Sequence, residues 1–375
     1  MKILIGADLV PTDTNKSYFE EGNASEIVDK KIFDILNEAD FRIFNLEVPL
    51  TDALCPIDKC GPNLVASTKS INGIKAFNPS LLTLANNHIM DQGESGLKST
   101  TKTLNDNEIN FLGAGDNLSC AKKPYIIEKD GLKIGIYACS ENEFSIADKD
   151  KAGANPFDPL ESPDDIAALK SECDYVIVLY HGGKEHYRYP SPNLRKTCRK
   201  LCDKGADLVI CQHTHCIGCE EKYNSSAIVY GQGNFFFNKY ESEFWKTSLL
   251  IEADVKGGDT VINYIPLMKD GKGIKKAVAD EAKEILDNFN KRSEEIKNDE
   301  FVEAAYKAFA ETMIKNYYNI IYKPNIFVRV LKKFFKIDLT KKPSLKQNLK
   351  LINIIECEAH RELILKGLKG IKKEI

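Results

Sequence analysis

Two histidines two residues apart, in Gln212-His213-Thr214-His215, follow directly on the strand-like run Ala206-Asp207-Leu208-Val209-Ile210-Cys211. On an extended segment, residues i and i+2 point to the same side. Both imidazoles can then meet one metal ion or a pair, and neutral imidazole nitrogen suits Zn, Fe, Mn and Ni. Further polar residues stand where other apolar runs end: Asp8, then Asn45 and Glu47, then Asn86-Asn87-His88 with Asp91, then His181 with Glu185. A lone histidine at a strand end is commonly a surface or capping residue. Here five of the six histidines fall in or beside such turns, a grouping that a metal-dependent site explains and scattered surface positions do not.

For these residues to meet, the chain must bring several strand ends to one edge, as open α/β sheets do at their carboxyl ends. The pattern predicts strands near 2–9, 41–47, 81–86, 175–181 and 207–212, with helices near 25–38, 96–107 and 192–204 between them. Lys129-Asp130-Gly131 between two strand-like runs in 124–139, and Gly257-Gly258-Asp259 between 245–255 and 259–266, predict antiparallel hairpins. Past about residue 275 the turn-bounded strands give way to helix-spaced apolar positions such as Phe301, Ala305, Phe309 and Met313, and Pro324 ends that stretch.

At 375 residues the chain is long enough for two units. A hydrophobic share of 43% with 29% charged residues marks a globular protein, and a net charge of −3 exerts no overall pull on nucleic acid or anionic membrane. No nucleic-acid partner is expected. The charge is segregated: residues 325–375 hold 13 Lys and Arg against 5 Asp and Glu, an excess of eight, so the preceding 324 residues carry −11. The apolar opening Met1–Gly6 is too short for a signal-peptide core, and no run approaches a membrane span, so a cytoplasmic protein is expected. Eleven cysteines, an odd number set in apolar runs, suit reduced thiols rather than a disulfide framework.

Three other signals compete. Cys216-Ile217-Gly218-Cys219, with Cys198, Cys202 and Cys211, has the types for zinc or redox chemistry, but Cys198 and Cys202 share a helix face with Leu194 and Leu201, the pattern of a buried face. Gly113-Ala114-Gly115-Asp116 lacks the third glycine and following helix of a dinucleotide fingerprint and reads as a strand-end turn. The basic, aromatic segment Phe327–Lys336 suits a helix packing Phe and Leu on the main domain with lysines in water, and peripheral membrane contact through 325–375 is the other reading.

In order and spacing, Gly6-Ala7-Asp8, Asn45-Leu46-Glu47 with Pro49-Leu50-Thr51, Leu84-Ala85-Asn86-Asn87-His88 with Asp91 and Gly93, Gly113-Ala114-Gly115, His181-Gly182-Gly183-Lys184-Glu185, Gly205 to Val209, Gln212 to His215 and Tyr230 to Phe235 form one series of blocks. The series resembles the CapA proteins of poly-γ-glutamate and capsule biosynthesis, within the calcineurin-like metallophosphoesterase superfamily. The resemblance implies an α/β fold, a four-layer αββα sandwich over residues 1–270, followed by a helical, basic domain over 275–375. It implies a metal shell of Asp8, Glu47, Asn87, His181, His213 and His215, with Glu47 bridging, for one or two divalent ions (Mn, Fe or Zn). His88 would be the general acid or a transition-state stabiliser, Asp91 and Glu185 further catalytic candidates, and Asn45, Asn86 and Asn234 substrate-binding candidates.

Three departures accompany the resemblance. Val10 stands where ordinary metallophosphoesterases place the histidine of Asp-x-His, an absence the family shares, which implies weak or absent metal binding at the first site. Gly182 and His186 replace the usual aromatic and Tyr, which implies altered substrate contacts. Relatives also commonly carry an N-terminal membrane anchor, and the sequence opens without one. The function implied is metal-dependent hydrolysis or transfer at a phosphoester or amide-type bond during polymer or capsule synthesis, in company with capsule-synthesis proteins. The alternatives are a non-catalytic assembly factor with a vestigial metal site, or a general phosphodiesterase or nucleotidase.

Overall fold

The computed structural model describes residues 1–238, 241–257, 259–321, 343–356 and 360–361. The chain divides into two compact units, Met1–Tyr306 and Lys307–Ile375.

In the first unit, β1 (Lys2–Val10), β2 (Phe41–Leu46), β3 (Leu81–Thr83) and β4 (Asn110–Leu112) lie side by side in parallel. Parallel neighbours need crossovers, and helices Lys30–Glu38 and Gly93–Asp106 supply two of them. The expected helix 25–38 begins only at Lys30, because the Asp29 carboxylate accepts from Lys31 N–H and caps it there. The expected strand 81–86 stops at Thr83, after which Asn86 N–H turns back to Leu84 O.

Next come β5 (Ala114–Gly115), β6 (Tyr125–Lys129), β7 (Leu132–Ser140), β8 (Gly153–Ala154), β9 (Tyr175–His181), β10 (Leu208–Gln212), β11 (Glu220–Tyr223) and β12 (Ser226–Tyr230). The predicted hairpin β6–β7 turns at Asp130 and Gly131, both in the left-handed region at φ 55° and 77°, as a two-residue Asp-Gly turn requires. A second sheet results, ordered β11-β12-β10-β9-β7-β6, while β5 pairs with β8. The chain then returns to the first sheet. There β13 (Phe236–Phe237) pairs with the end of β1, and β14 (Thr247–Lys256), β15 (Asp259–Asp270) and β16 (Gly273–Lys276) extend it antiparallel. Both sheets are mixed, and the fold is α/β.

Strand side chains alternate between faces, and here both faces are apolar. Ile3, Ile5, Ile43 and Leu81 of the first sheet meet Ile136, Ile177, Ile210 and Val229 of the second in one buried cluster. The opposite faces carry helices: Leu4, Phe44 and Leu82 pack with Phe19, Ile32, Leu36 and Leu97, while Val176, Val178 and Val209 pack with Ile166, Leu169, Leu194 and Leu201. Continuous apolar strand runs are what doubly covered sheets need.

The helix-spaced stretch after 275 forms two helices, Ala279–Glu295 and Asp299–Ile321. They part where the Asn298 side chain accepts from Glu300 and Phe301 N–H. Phe289 joins the cluster between the sheets, and Val302 packs beneath the second sheet. In the second unit the helix Leu345–Glu356 is described, whereas the basic segment Phe327–Lys336 lies outside the described residues. Among the described residues no helix is long and apolar enough to cross a membrane.

Ile177→Ala, at a fully buried position between the sheets, is expected to lower the unfolding free energy by about 3 kcal/mol. Ile126→Ala, at a position 41% exposed on the edge strand β6, should cost less than about 1 kcal/mol. Urea denaturation of the two variants checks the contrast.

Candidate metal centre

Parallel pairing sets Asp8 beside Asn45, Asn45 beside Thr83, and His181 beside Gln212, each at a strand's carboxyl end. Between Ile5 and Asp8 the register of β1 against β2 shifts. Such an irregularity re-aims a side chain at the end of a strand. Glu47 follows β2 directly and is fully buried, as is Asp8.

These ends converge into two overlapping constellations. Ligand atoms of Glu47, His181 and His213 lie within 4.8 Å of one another, and so do those of Asp8, Glu47 and His215. Glu47 belongs to both. Asn87 Oδ1 lies 3.1 Å from His181 Nε2, which is also 3.2 Å from Glu47 Oε1, so Asn87 joins the first group. Position 10 offers nothing to the second, since Val10 is buried in the apolar cluster beneath the first sheet.

The two histidines of Gln212–His215 do not sit as alternate residues of an extended strand. His213 and His215 both take left-handed backbone, at φ 83° and 54°, and their rings stand 6.0 Å apart, one in each constellation. Non-glycine residues in that region carry strain that a site's surroundings must sustain.

The residues fit a cation on their own chemistry. Asp8 Oδ2, both Glu47 carboxylate oxygens and His213 Nδ1 are buried without a hydrogen-bond partner. The approach of His181 Nε2 to Glu47 Oε1 is off hydrogen-bond geometry. Buried carboxylates without partners are costly unless a counter-charge meets them. Oxygen and imidazole donors together suit Mn, Fe or Zn. Among the described residues no cysteine belongs to either constellation. Cys216 and Cys219 are buried, and Cys198 Sγ lies 3.6 Å from Cys211 Sγ between the helix Pro192–Asp203 and β10.

The same imbalance sets the protonation states of the chain by itself. Burial would lower the His215 imidazolium, but the Asp8 carboxylate, whose Oδ2 lies 3.4 Å from His215 Nδ1, and the charge of Glu47 push it up to about 9. His181 is also raised, against its burial, by Glu47 and Asp8. Burial would raise the Asp8 carboxyl, yet His215 and His181 hold it below its usual value. His213 is driven well down by burial and by the neighbouring His181, His215 and His88.

The asparagines act as struts. Asn45 Nδ2 donates to Asp8 Oδ1 at 2.8 Å and lies 3.2 Å from His181 Nδ1. Its Oδ1 accepts from Asn86 Nδ2 and Thr83 Oγ1, and Asn86 also donates to Leu46 O. Asn45 and Asn86 are fully buried with their amides engaged. Asn234 Oδ1 accepts from His215 Nδ1 at 2.8 Å, the nitrogen that also approaches Asp8 Oδ2. Glu185 is at the rim, 4.0 Å from His213 Nε2.

His88 follows Asn87, and its Nδ1 is held by the buried Asp91 at 2.5 Å. Asp91 is shared. It also accepts from Lys59 Nζ and, at 2.6 Å, from Leu64 N–H, while Gln92 bonds Cys55 N–H and Leu64 O. Lys59, nearly buried, thereby ties the segment 51–67 to the His88 turn. Nothing in the sequence marked it, because it lies in an aperiodic loop 32 residues from its partner. Glu141 was missed likewise: its carboxylate accepts from Gly183 N–H at 3.0 Å, and a Cβ on Gly182 would come within 2.6 Å of its Cγ. Across the site, Trp245 Nε1 donates to His186 Nε2, and its ring lies 4.6 Å from that of His215.

Lys59→Met leaves Asp91 buried without its cation. It is expected to destabilise the protein by about 3 kcal/mol and to open the segment 51–67 to proteases, read by chemical denaturation and by mapping limited-proteolysis cuts.

Residues 2–239 match the family described as bacterial capsule synthesis protein PGA_cap. The chain is 34% identical over 181 residues to the PGA biosynthesis protein CapA of Bacillus subtilis, covering 47% of each. It is 26% identical over 253 residues to the capsule biosynthesis protein CapA of Bacillus anthracis, covering 65% of this chain and 61% of that one. These matches span only about half to three fifths of the relatives' length. Among solved structures, a phosphatase from Mycoplasma pneumoniae superposes with a TM-score of 0.44 at 16% identity, covering 72% of this chain and 94% of that one. With the family match running through β1 to β13 and taking in every residue of both constellations, the chain belongs to the bacterial capsule synthesis proteins, PGA_cap.

Proposed function

We propose that the protein is a metal-dependent hydrolase or transferase acting on a phosphoester or amide-type bond in the synthesis of poly-γ-glutamate or capsule polysaccharide. The observation that carries this reading is the pair of buried carboxylates, Asp8 and Glu47, with three unpartnered oxygens among three histidines. Glu47, Asn87, His181 and His213 would hold one divalent ion, and Asp8, Glu47 and His215 a second, weaker one. Such an ion supplies Lewis-acid polarisation and makes water acidic enough to yield a nucleophile near neutral pH. Asp91 fixes the His88 ring through Nδ1, and a His88 carrying protons on both nitrogens would give the Nε2 proton to the leaving group. Asn45 and Asn234 hold Asp8, His181 and His215 in place.

Purified without chelator or histidine tag, the chain should carry one or two equivalents of metal by mass spectrometry, and His213→Ala/His215→Ala should lose them. An empty wild type after reconstitution with Mn, Fe and Zn would sink the reading. Turnover of bis-p-nitrophenyl phosphate should require added Mn or Zn and fall about a hundredfold or more in His88→Ala. Turnover that ignores the metal would exclude this centre.

The raised His215 sets the pH dependence. In the metal-free chain its proton is held up to about pH 9, and that charge stabilises the metal-free fold fully below about pH 6.5, with the benefit lost as pH rises through 9. An ion held by Asp8, Glu47 and His215 must displace that proton, so affinity at this position should rise by up to about tenfold per pH unit below about pH 9, with about one proton released from His215. Calorimetric titration with Mn in buffers of different ionisation enthalpy measures both.

A further inference from the structure

Of the residues in the first constellation, Asn87 alone is an amide, with an acceptor and a donor at the same end of its side chain. Its Oδ1 lies 3.1 Å from His181 Nε2, which lies 3.2 Å from Glu47 Oε1, so the oxygen faces the centre. That orientation matters. A carbonyl oxygen can ligate Mn, Fe or Zn, whereas the amide turned round would present two hydrogens to the ion. His181 does not decide between the two, since an imidazole nitrogen pairs with the amide oxygen when it carries a proton and with the amide nitrogen when it does not.

The loop after β7 decides it. Ser145, fully buried, donates from Oγ to Asn87 O at 2.6 Å, which fixes the Asn87 backbone and leaves rotation of the amide as the remaining freedom. Glu143, exposed and two residues earlier, places Oε2 3.5 Å from Asn87 Nδ2. The contact is long, but its sign is fixed: a carboxylate accepts and cannot donate, so a reversed amide would set oxygen against oxygen.

The loop itself is anchored to both sheets. Ser140 N–H donates to Asn155 O, Phe157 N–H to Ser140 O, and Ala154 N–H to Ser145 O. The buried Asn155 reaches Gly113 O, just after β4 of the first sheet, through its N–H, and Ala138 O of β7 through Nδ2. Glu141 begins the loop by accepting from Gly183 N–H while its own N–H meets His181 O. The loop therefore spans the gap between the turn that carries Asn87 and the end of β9 that carries His181.

We propose that Glu143 is a positioning residue of the first metal position, its carboxylate holding the Asn87 amide with the oxygen toward the ion. This rests on the reading of Glu47, Asn87, His181 and His213 as that ion's ligands.

The metal-free full chain is titrated calorimetrically with Mn near neutral pH. Glu143→Gln offers Asn87 either end of an amide and should weaken Mn at the tighter position about tenfold, with the urea midpoint unchanged because the side chain is exposed. Lost charge attraction alone would act in the same direction, and two measurements separate the causes. The ratio to wild type should persist between about 20 and 500 mM salt, where an exposed charge is screened. In Asn87→Asp there is no amide to orient and Glu143 only repels its neighbour, so adding Glu143→Gln should strengthen Mn binding instead of weakening it. No effect of Glu143→Gln on Mn, a weakening that vanishes at high salt, or an equal weakening with and without Asn87→Asp overturns the proposal and leaves the metal reading standing. A wild type that takes up no Mn overturns both.

Discussion

Two carboxylates, Asp8 and Glu47, are fully buried at the ends of adjacent strands, and three of their four oxygens have no hydrogen-bond partner. Removing an ionised carboxylate from water costs several kcal/mol unless charge and hydrogen bonds replace the solvent. The surrounding chain supplies only part of that replacement, through His181, His215 and the Asn45 amide. Much of the local architecture follows from keeping this imbalance in place: the shifted register of β1, the two histidines in left-handed backbone, and the ladder of asparagines that holds oxygen and nitrogen atoms at fixed separations.

The two sheets make this affordable. Their shared core of β-branched and leucine side chains fixes the parallel strands β1, β2, β9 and β10 against one another. Residues 8, 47, 181, 213 and 215 are then neighbours by topology rather than by local folding. Rigidity at the strand ends permits the strain at His213 and His215, because the flanking ladders hold where isolated loops would relax. On the other side of the site, the loop 51–67 has no such scaffold and is held by side chains instead: Asp91, Lys59 and Gln92 pin it to the turn that carries His88.

What the sequence made legible divides along the same line. Asp8, Glu47, Asn87, His181, His213 and His215 stood at the ends of apolar runs, and the structure places them together because strand ends are set by periodicity, which a single sequence displays. Asn45 and Asn86 were visible for the same reason, but their burial was not, since whether a strand-end amide faces a ligand or a neighbouring strand depends on register. Lys59 and Glu141 were invisible: each gains its meaning from a partner more than 30 residues away in sequence. In the fold, the Asp-Gly hairpin was legible from turn chemistry alone, whereas the early end of β3 arises from a local backbone turn at Leu84–Asn86 and the interruption at Asn298 from a side chain competing with the backbone for hydrogen bonds. The left-handed turns at His213 and His215 contradict the preference of their residue type, as functional sites often do.

Anomalous scattering from crystals soaked in manganese at neutral pH addresses the central claim most directly. A strong peak is expected among Glu47, Asn87, His181 and His213, and a weaker one shared by Asp8, Glu47 and His215. Crystals that show no anomalous peak at either position, with Asp8 Oδ2 and both Glu47 oxygens still without a hydrogen bond, would contradict it.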